Sequence, residues 1–225
     1  MTDTNQNQAI SNDVLKDQAA KLESLQLQVS ALLGSRVLAI ETFRNELCFT
    51  VNIADIPSIL IMLREDSGGA FTQLSELTAV DYPSRTQRFD LIYQLLSVTY
   101  NRRIRLKAAI GDGEVAPSVS HIFTTAVWSE REVWDMFGIF FSDHNDLRRL
   151  LTDYGFEGHP LRKDFPLTGT VETRYDDQEK RVIYEPVSLT QEFRDYDYMS
   201  PWEGVQTAMR QDDPKPTEDT MESKE

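Results

Sequence analysis

Three short apolar runs in the middle of the chain limit its possible folds more than any other feature. They are Leu74–Tyr82, Phe89–Val98 and Arg103–Ala109, with turn-forming residues at positions 83–86 and at Asn101 between them. Runs of this length, separated by short turns, are typical of consecutive antiparallel strands. The sequence therefore predicts an antiparallel sheet at the centre of the fold.

The last of these runs has the clearest period of two. Ile104, Leu106 and Ala108 alternate with arginine and lysine, so one face of the strand is expected in the core and the basic face in water. Residues 46–51 show the same alternation, and Cys48 lies there as a small strand residue. We predict a further half-buried strand at this position.

Helical periodicity surrounds the strands. Apolar residues recur every three or four positions over Asn12–Gly34, which predicts an amphipathic helix. A short second helix is predicted over Ile56–Arg64, with Asp55 as its cap. Gly111–Pro117 is predicted as a loop, and Ser118–Ala126 as a helical segment. The fold class is therefore α+β, an antiparallel sheet packed with helices and followed by a long extended C-terminal arm.

A further helix is predicted to begin at Ser129 and to end at Gly138. Ser129 and Glu132 have the spacing of a capping box, in which each side chain bonds to the backbone amide of the other. Trp128 and Val133 flank this pair at the positions of a hydrophobic staple.

Charge and cysteine content exclude several functions. The formal net charge of −14 disfavours a nucleic-acid partner and anionic lipid surfaces, because both are polyanions. One cysteine cannot hold an iron–sulfur cluster, which normally needs about four thiolates. No apolar run is long enough to span a bilayer and no leader is visible, so we expect a cytoplasmic chain that meets a membrane only through another protein.

The segment from Glu130 carries the most specific pattern, EREVWDMFGIFFSDHNDLRRLL. It resembles the signature of the 30 kDa subunit, or C subunit, of the NADH:quinone oxidoreductase of respiratory chains (complex I). The matching positions are Glu130, Arg131, Glu132, Asp135, Met136, Phe137, His144, Arg148, Leu150 and Leu151. The runs at Gly158–Leu167 and Tyr184–Gly204 are also similar to the family, whereas Asn145 stands where the family more often has proline.

The resemblance implies a function for the whole assembly. It implies a non-redox structural subunit of a proton-translocating NADH:quinone oxidoreductase, with FMN and iron–sulfur clusters in other subunits and ubiquinone as the expected acceptor. The implied partners are the 49 kDa-type D subunit, which holds the quinone site, and the cluster-bearing B and I subunits. The implied location is the cytoplasmic side of the cell inner membrane, peripheral and without insertion.

Three alternatives stand beside this interpretation. Glu132, Asp135, Asp143 and His144 are residue types that could form an acid–base or metal cluster, and a free hydrolase would use Asp135 and His144. The spacing of His144 and His159 does not fit a helical two-histidine zinc motif. We therefore expect no catalytic, cofactor or metal residue in this chain. A counterpart in a related membrane-bound hydrogenase is the third alternative.

The C-terminal region is predicted to contact partners. Residues 166–204 lack long periodic elements yet contain several aromatic residues, which suits an arm that wraps a neighbour or, alternatively, folds back on its own domain. The expected partner contacts are Arg148, Arg149, Arg162, Lys163, Tyr184, Phe193 and Trp202. The predicted organisation is a disordered start at 1–12, a domain at 13–165, the arm at 166–210 and a disordered acidic tail at 211–225.

Overall fold

The computed structural model describes residues 19–191 and residue 194. Contacts between residues divide the chain into two units, at 1–170 and 171–225. Within the described part, the first unit contains α1 (19–33), β1 (Val37–Phe43), β2 (Glu46–Val51), α2 (Ile56–Glu65), β3 (Gln73–Asp81), β4 (Phe89–Ser97), β5 (Arg102–Ile110), β6 (Val115–Pro117), α3 (Ala126–Phe137) and β7 (Phe140–Ser142). The second contains β8 (Val171–Asp176) and β9 (Arg181–Pro186).

The main sheet has five strands in the order β1-β2-β5-β4-β3. β3, β4 and β5 pair antiparallel in sequence, so the three predicted strands and their connection are confirmed. The predicted α+β class is confirmed as well. The sheet also has a feature that the sequence pattern did not predict, because β2 pairs with β5 in parallel.

One face of the sheet forms the core. Phe49, Leu106 and Tyr93 stand side by side on β2, β5 and β4, and all three are fully buried. Residues from α1, α2 and α3 complete the same apolar cluster. The opposite face is less covered, and there Arg105 and Lys107 pair with Glu46 and Asp90. The predicted division of β5 into a buried apolar face and a basic face is therefore confirmed.

The first two predicted helices are present. α1 ends at residue 33, immediately before Gly34, whose φ of 57° lies in the left-handed region that favours glycine. The part of this prediction before residue 19 lies outside the described residues. α2 follows Asp55, which occupies the N-cap position but forms no side-chain cap hydrogen bond. Asp55 therefore marks the correct helix start without the predicted capping contact.

The capping box predicted at the third helix is wrong. α3 begins at Ala126, and the residues before it form turns where a helical segment was predicted. Ser129 and Trp128 consequently lie inside the helix, and the Ser129 hydroxyl donates to the carbonyl of Thr125 at 3.4 Å. The helix end at Gly138 is confirmed. The local pattern failed because the preceding turns, held by contacts distant in sequence, place the helix start one turn earlier.

Three further strand regions were not predicted. β1 is exposed along most of its length, so it lacks the alternation that identifies a half-buried strand. β6, in the predicted loop, pairs in parallel with β7. In the region predicted to lack regular structure, β8 and β9 form an antiparallel hairpin with no fully buried position. Its strands are joined by main-chain pairing and by an Arg174–Glu185 ion pair at 3.0 Å.

Candidate docking surface beside the third helix

Helix α3 carries three charged side chains that the fold buries. Glu130 and Asp135 are fully buried, and Arg131 is 7% exposed. Charged side chains are rarely buried unless they are paired or hydrogen-bonded, because removing a charge from water is costly. Glu130 binds the chain segment that precedes the helix, and Arg131 and Asp135 bind the segment that follows it.

Glu130 fastens the segment that precedes α3. Its Oε2 accepts a hydrogen bond from the Ser118 hydroxyl, and its Oε1 accepts one from the Val119 amide, both at 2.7 Å. Burial raises the pKa of Glu130, and these two hydrogen bonds oppose the rise. The residue thus ties the turn after β6 to the helix.

His144 lies beside Glu130, with its Nε2 at 3.8 Å from Oε2 of the glutamate. The Nδ1 atom of His144 accepts from the Asp146 amide at 3.1 Å, so in the neutral ring Nε2 carries the proton. That Nε2 lies 3.1 Å from the carbonyl oxygen of Val127. The imidazole therefore joins the chain after β7 to the first turn of α3.

Asp135 holds the segment that follows. Its Oδ2 accepts from the amides of Leu150, Leu151 and Thr152 at 2.8–3.0 Å. Its Oδ1 accepts from the Thr152 hydroxyl and from Arg149. Burial alone would raise the pKa of Asp135, but the hydrogen bonds outweigh it and hold the pKa well below its ordinary value. Five donors on one carboxylate leave little capacity for a substrate or a metal ion.

Further contacts join α3 to residues 148–162. Arg131 donates to the carbonyls of residues 148 and 149 at 3.0–3.1 Å. Arg162 donates from Nε to the carbonyl of Phe137, and the Leu161 amide donates to that of Met136 at 3.1 Å. His159 Nδ1 lies 2.9 Å from the Asp135 carbonyl. Residues 159–162 thus satisfy the carbonyls that a helix end leaves without partners.

Gly138 permits this close approach. Its φ of 78° lies in the left-handed region, and a Cβ added there would lie 2.6 Å from Nε2 of His159 and 2.7 Å from Arg162. Any side chain at this position would be strained and would also push the two residues away.

The result is a segment, residues 143–168, without helix or strand but fixed to α3; we call it the pinned segment. Four of its large apolar side chains are exposed: Leu151 (64%), Tyr154 (87%), Leu161 (52%) and Leu167 (82%). We call these four the docking surface. Exposed apolar groups that lie together are typical of sites that bind another protein, and these four are candidates for such contacts.

The sequence did not indicate a second polar cluster that also holds the pinned segment. Arg88 donates to both oxygens of Asp81 at 2.7–2.8 Å and pairs with Asp164 at 3.0 Å. Asp81 also accepts from the Lys163 amide at 2.8 Å, and the hydrogen bond from Arg88 is the main cause of its lowered pKa. An aspartate at an inward position of β3 was the signal that could have identified it.

The signature residues found from the sequence cluster on α3 and its contacts. Met136 and Phe137 are buried in the core, whereas Glu132 is exposed. The amides of Leu150 and Leu151 donate hydrogen bonds to Asp135, as described above. The signature is thus spatially coherent.

The predicted partner contacts have different environments. Arg149 pairs with Asp135 and Arg162 with Asp112, so both are engaged within the chain. Arg148 and Lys163 are exposed, and Tyr184 lies on β9. Phe193 and Trp202 lie outside the described residues. Contact with a partner stays a prediction for all seven residues.

No group of His, Cys, Asp and Glu side chains suited to a metal ion occurs among residues 19–191 and 194. In the same part of the chain, no helix is long and apolar enough to cross a membrane. Asp135 and His144, the pair considered for hydrolysis, are both bound to backbone groups of the chain itself.

The chain is similar in sequence to known proteins. The sequence model of a family described as "Respiratory-chain NADH dehydrogenase, 30 Kd subunit" matches residues 49–171, which run from the middle of β2 through β7 and the pinned segment. The C subunit of the NADH-quinone oxidoreductase from Paramagnetospirillum magneticum is 55% identical over 184 residues, covering 81% of this chain and 92% of its own. The protein of the same name from Rhodospirillum rubrum is 48% identical, covering 88% and 92%.

A solved structure is also similar. It is a chain of the membrane-bound sulfane sulfur reductase, described as an archaeal respiratory membrane complex. The two chains are 27% identical with a TM-score of 0.56, over 65% of this chain and 86% of the other.

Proposed function

Because this chain belongs to the family of the 30 kDa subunit of respiratory-chain NADH dehydrogenase, we propose that it is a non-redox structural subunit of a proton-translocating NADH:quinone oxidoreductase. The assembled enzyme would pass electrons from NADH through FMN and iron–sulfur centres to a quinone, which we propose to be ubiquinone. This chain would hold neighbouring subunits in place, and none of its residues would react.

The pinned segment is the observation that carries the proposal. Charged residues of the signature use their hydrogen-bonding groups to hold the backbone of the pinned segment. Asp135 alone accepts hydrogen bonds from three consecutive amides. The same contacts leave Leu151, Tyr154, Leu161 and Leu167 exposed. A rigid, apolar, exposed segment is what a scaffold needs, because a partner binds it without ordering it first.

The cofactors are proposed to lie in other subunits. The sequence has one cysteine, whereas iron–sulfur clusters are normally held by about four thiolates. Burial raises the pKa of Cys48, so its thiolate form is disfavoured. The chain's own donors therefore do not fit a cluster.

We propose the 49 kDa-type D subunit as the main partner, together with the cluster-bearing B and I subunits. The chain would lie on the cytoplasmic side of the cell inner membrane and be attached through these subunits. The similarity to a chain of an archaeal respiratory membrane complex supports membership of a membrane-associated assembly.

That same similarity favours a second candidate, a related membrane-bound reductase or hydrogenase. The two candidates differ in their partners, because only an NADH dehydrogenase includes a flavin subunit that oxidises NADH. The relatives of about 50% identity carry the NADH-quinone oxidoreductase name, which favours the first candidate.

Purification of the tagged chain from native membranes tests the proposal. We expect the 49 kDa-type subunit, the B and I subunits and an NADH-oxidising flavin subunit to co-purify. Leu167→Asp should abolish co-purification, whereas Leu27→Asp on α1 is a matched control because Leu27 is 72% exposed. Partners lacking the flavin subunit would support the second candidate, and no partners at all would contradict both.

Truncation after Leu167 tests the arm. The first unit contains the apolar cluster, so we expect the truncated chain to unfold at nearly the same temperature as the full chain. We also expect it to lose co-purification, with residues 184–202 as the critical stretch. A truncated chain that does not fold would mean that the arm packs on its own core, and one that assembles fully would make the arm dispensable.

A further inference from the structure

A cleft of about 680 Å³ lies between the described part of α1 and two turns of the main sheet. One turn joins β1 to β2 and the other joins β4 to β5. Because β2 and β5 are adjacent and parallel, with Leu47 beside Ile104, the turns that precede them lie side by side. Residues 44–46 and 100–103 therefore line the same cleft.

The lining of the cleft is basic. Lys21 comes from α1, Arg44 from the first turn, and Arg102 and Arg103 from the second. The one carboxylate in the lining, Glu46, accepts a hydrogen bond from Arg105 at 2.9 Å. The cleft is therefore a positively charged region on a chain whose net charge is −14.

Contacts within the chain hold some of these cations without neutralising them. The Arg102 guanidinium lies 5.5 Å from the centre of the Tyr100 ring and donates to Gln28 at 3.4 Å. The Arg44 guanidinium lies 5.2 Å from the Phe43 ring. Rings and amides position an arginine but leave its charge available to an anion.

We propose that this basic cleft is a docking site for an acidic peptide segment of a neighbouring protein in the assembly. Its cations come from three separate elements and most are exposed, so they suit an extended chain of carboxylates. A compact phosphate site would instead need buried donors that converge on one point. The inference rests on the proposed function only for the identity of the chain that supplies the peptide.

Peptide binding to the purified full-length chain tests the chemistry. Fluorescence anisotropy would compare labelled octaglutamate with octaglutamine at low and high salt. We expect octaglutamate to bind and to weaken about tenfold at high salt, because exposed ion pairs are screened. Arg103→Glu should weaken binding by a further factor of about ten, while Arg36→Glu, an equal charge change at another exposed arginine, should not.

Three results would overturn the proposal: equal binding of the two peptides, equal loss in both variants, or displacement of octaglutamate by millimolar inorganic phosphate. The last would indicate a small-anion site. Thermal unfolding of each variant shows whether a loss of binding is due to loss of the fold. The test needs a variant that folds. If Arg103→Glu does not fold, Lys21→Glu on α1 removes a different cation from the same cleft.

Co-purification from membranes separates this inference from the proposed function. If the unsubstituted chain brings down no respiratory subunits, the proposed function fails whatever the peptide results. If it brings them down and Arg44→Glu/Arg103→Glu does so equally well, the cleft is not an interface and only this inference fails. We expect the double variant to lose at least one partner and Arg36→Glu to lose none.

Discussion

The core of the main sheet and the pinned segment are ordered by different forces. In the core, apolar side chains such as Phe49 and Leu106 are fully buried, and the backbone is paired in strands. The pinned segment has no helix or strand and leaves large apolar groups exposed. It is fixed by charged side chains of α3 and by the Arg88–Asp81 pair. Polar anchoring thus fixes a segment whose large apolar side chains remain exposed.

Removing the central anchor should have the largest effect. Asp135→Ala leaves three amides and Arg149 without their acceptor, and breaking a buried charged pair costs about 3–5 kcal/mol. Chemical unfolding would measure the loss, and limited proteolysis should cut first within residues 143–168. Glu132→Ala, an exposed position of the same helix, is the control and should change little. Early cleavage in the main sheet would contradict the separation of the two regions.

A change in the core should act differently. Leu106→Ala removes a fully buried side chain from the central strand, which costs about 2–5 kcal/mol. The loss should appear as a lower free energy of unfolding for the whole first unit, with no selective cleavage in the pinned segment. Leu38→Ala on exposed β1 is the control, and a selective release of residues 143–168 by the core variant would show that the regions are coupled.

The two buried carboxylates of α3 should respond to pH with opposite signs, at a smaller amplitude. The pKa of Asp135 is lowered from its ordinary 3.8, so its stabilising contribution is present above that pH and is lost as pH falls. The pKa of Glu130 is raised from its ordinary 4.5, so its contribution is full below 4.5 and is lost as pH rises through the raised value.

The measurement is the unfolding free energy of Asp135→Asn and Glu130→Gln between pH 3 and pH 8, each relative to the unsubstituted chain. As pH falls, the advantage of the native residue should shrink at position 135 and grow at position 130. Parallel pH profiles for the two variants would refute the different environments assigned to these carboxylates.

The smallest effect is expected at Ser129. Its hydroxyl lies inside α3 and donates over 3.4 Å to the Thr125 carbonyl, so Ser129→Ala should change stability by no more than about 0.5 kcal/mol. Thermal unfolding would measure it. A loss of about 1 kcal/mol or more, typical of a lost N-cap, would favour the capping box that the sequence suggested.

The same contrast explains what the sequence could predict. β3, β4 and β5 were predicted because each strand alternates between a buried and a less buried face. Such a strand has apolar residues at alternate positions, and this pattern is visible in the sequence. β1 and the β8–β9 hairpin were missed because their exposed strands carry no such pattern. The parallel pairing of β2 with β5 could not be read locally, since its partners are far apart in sequence.

The candidate site was only partly predictable. The resemblance identified Glu130, Arg131 and Asp135 as a group, but charged residues on a helix more often face water, and nothing local shows that these three are buried. Most of their partners are backbone amides and carbonyls, which nearly every residue possesses, so residue type gives no signal for them. Tertiary structure alone shows that the signature serves to fix backbone.

The parallel β2–β5 pair also has a consequence during synthesis on the ribosome. Leu47 meets Ile104 in this pair, so β2 has no partner on its inner edge until the chain through β5 has been made. The apolar side chains of the β1–β2 hairpin stay exposed over that interval, and unpaired edges of this kind are prone to aggregation. Contacts between residues far apart in sequence form slowly. Pairing of β2 with β5 should therefore limit how fast the nascent chain becomes competent to assemble.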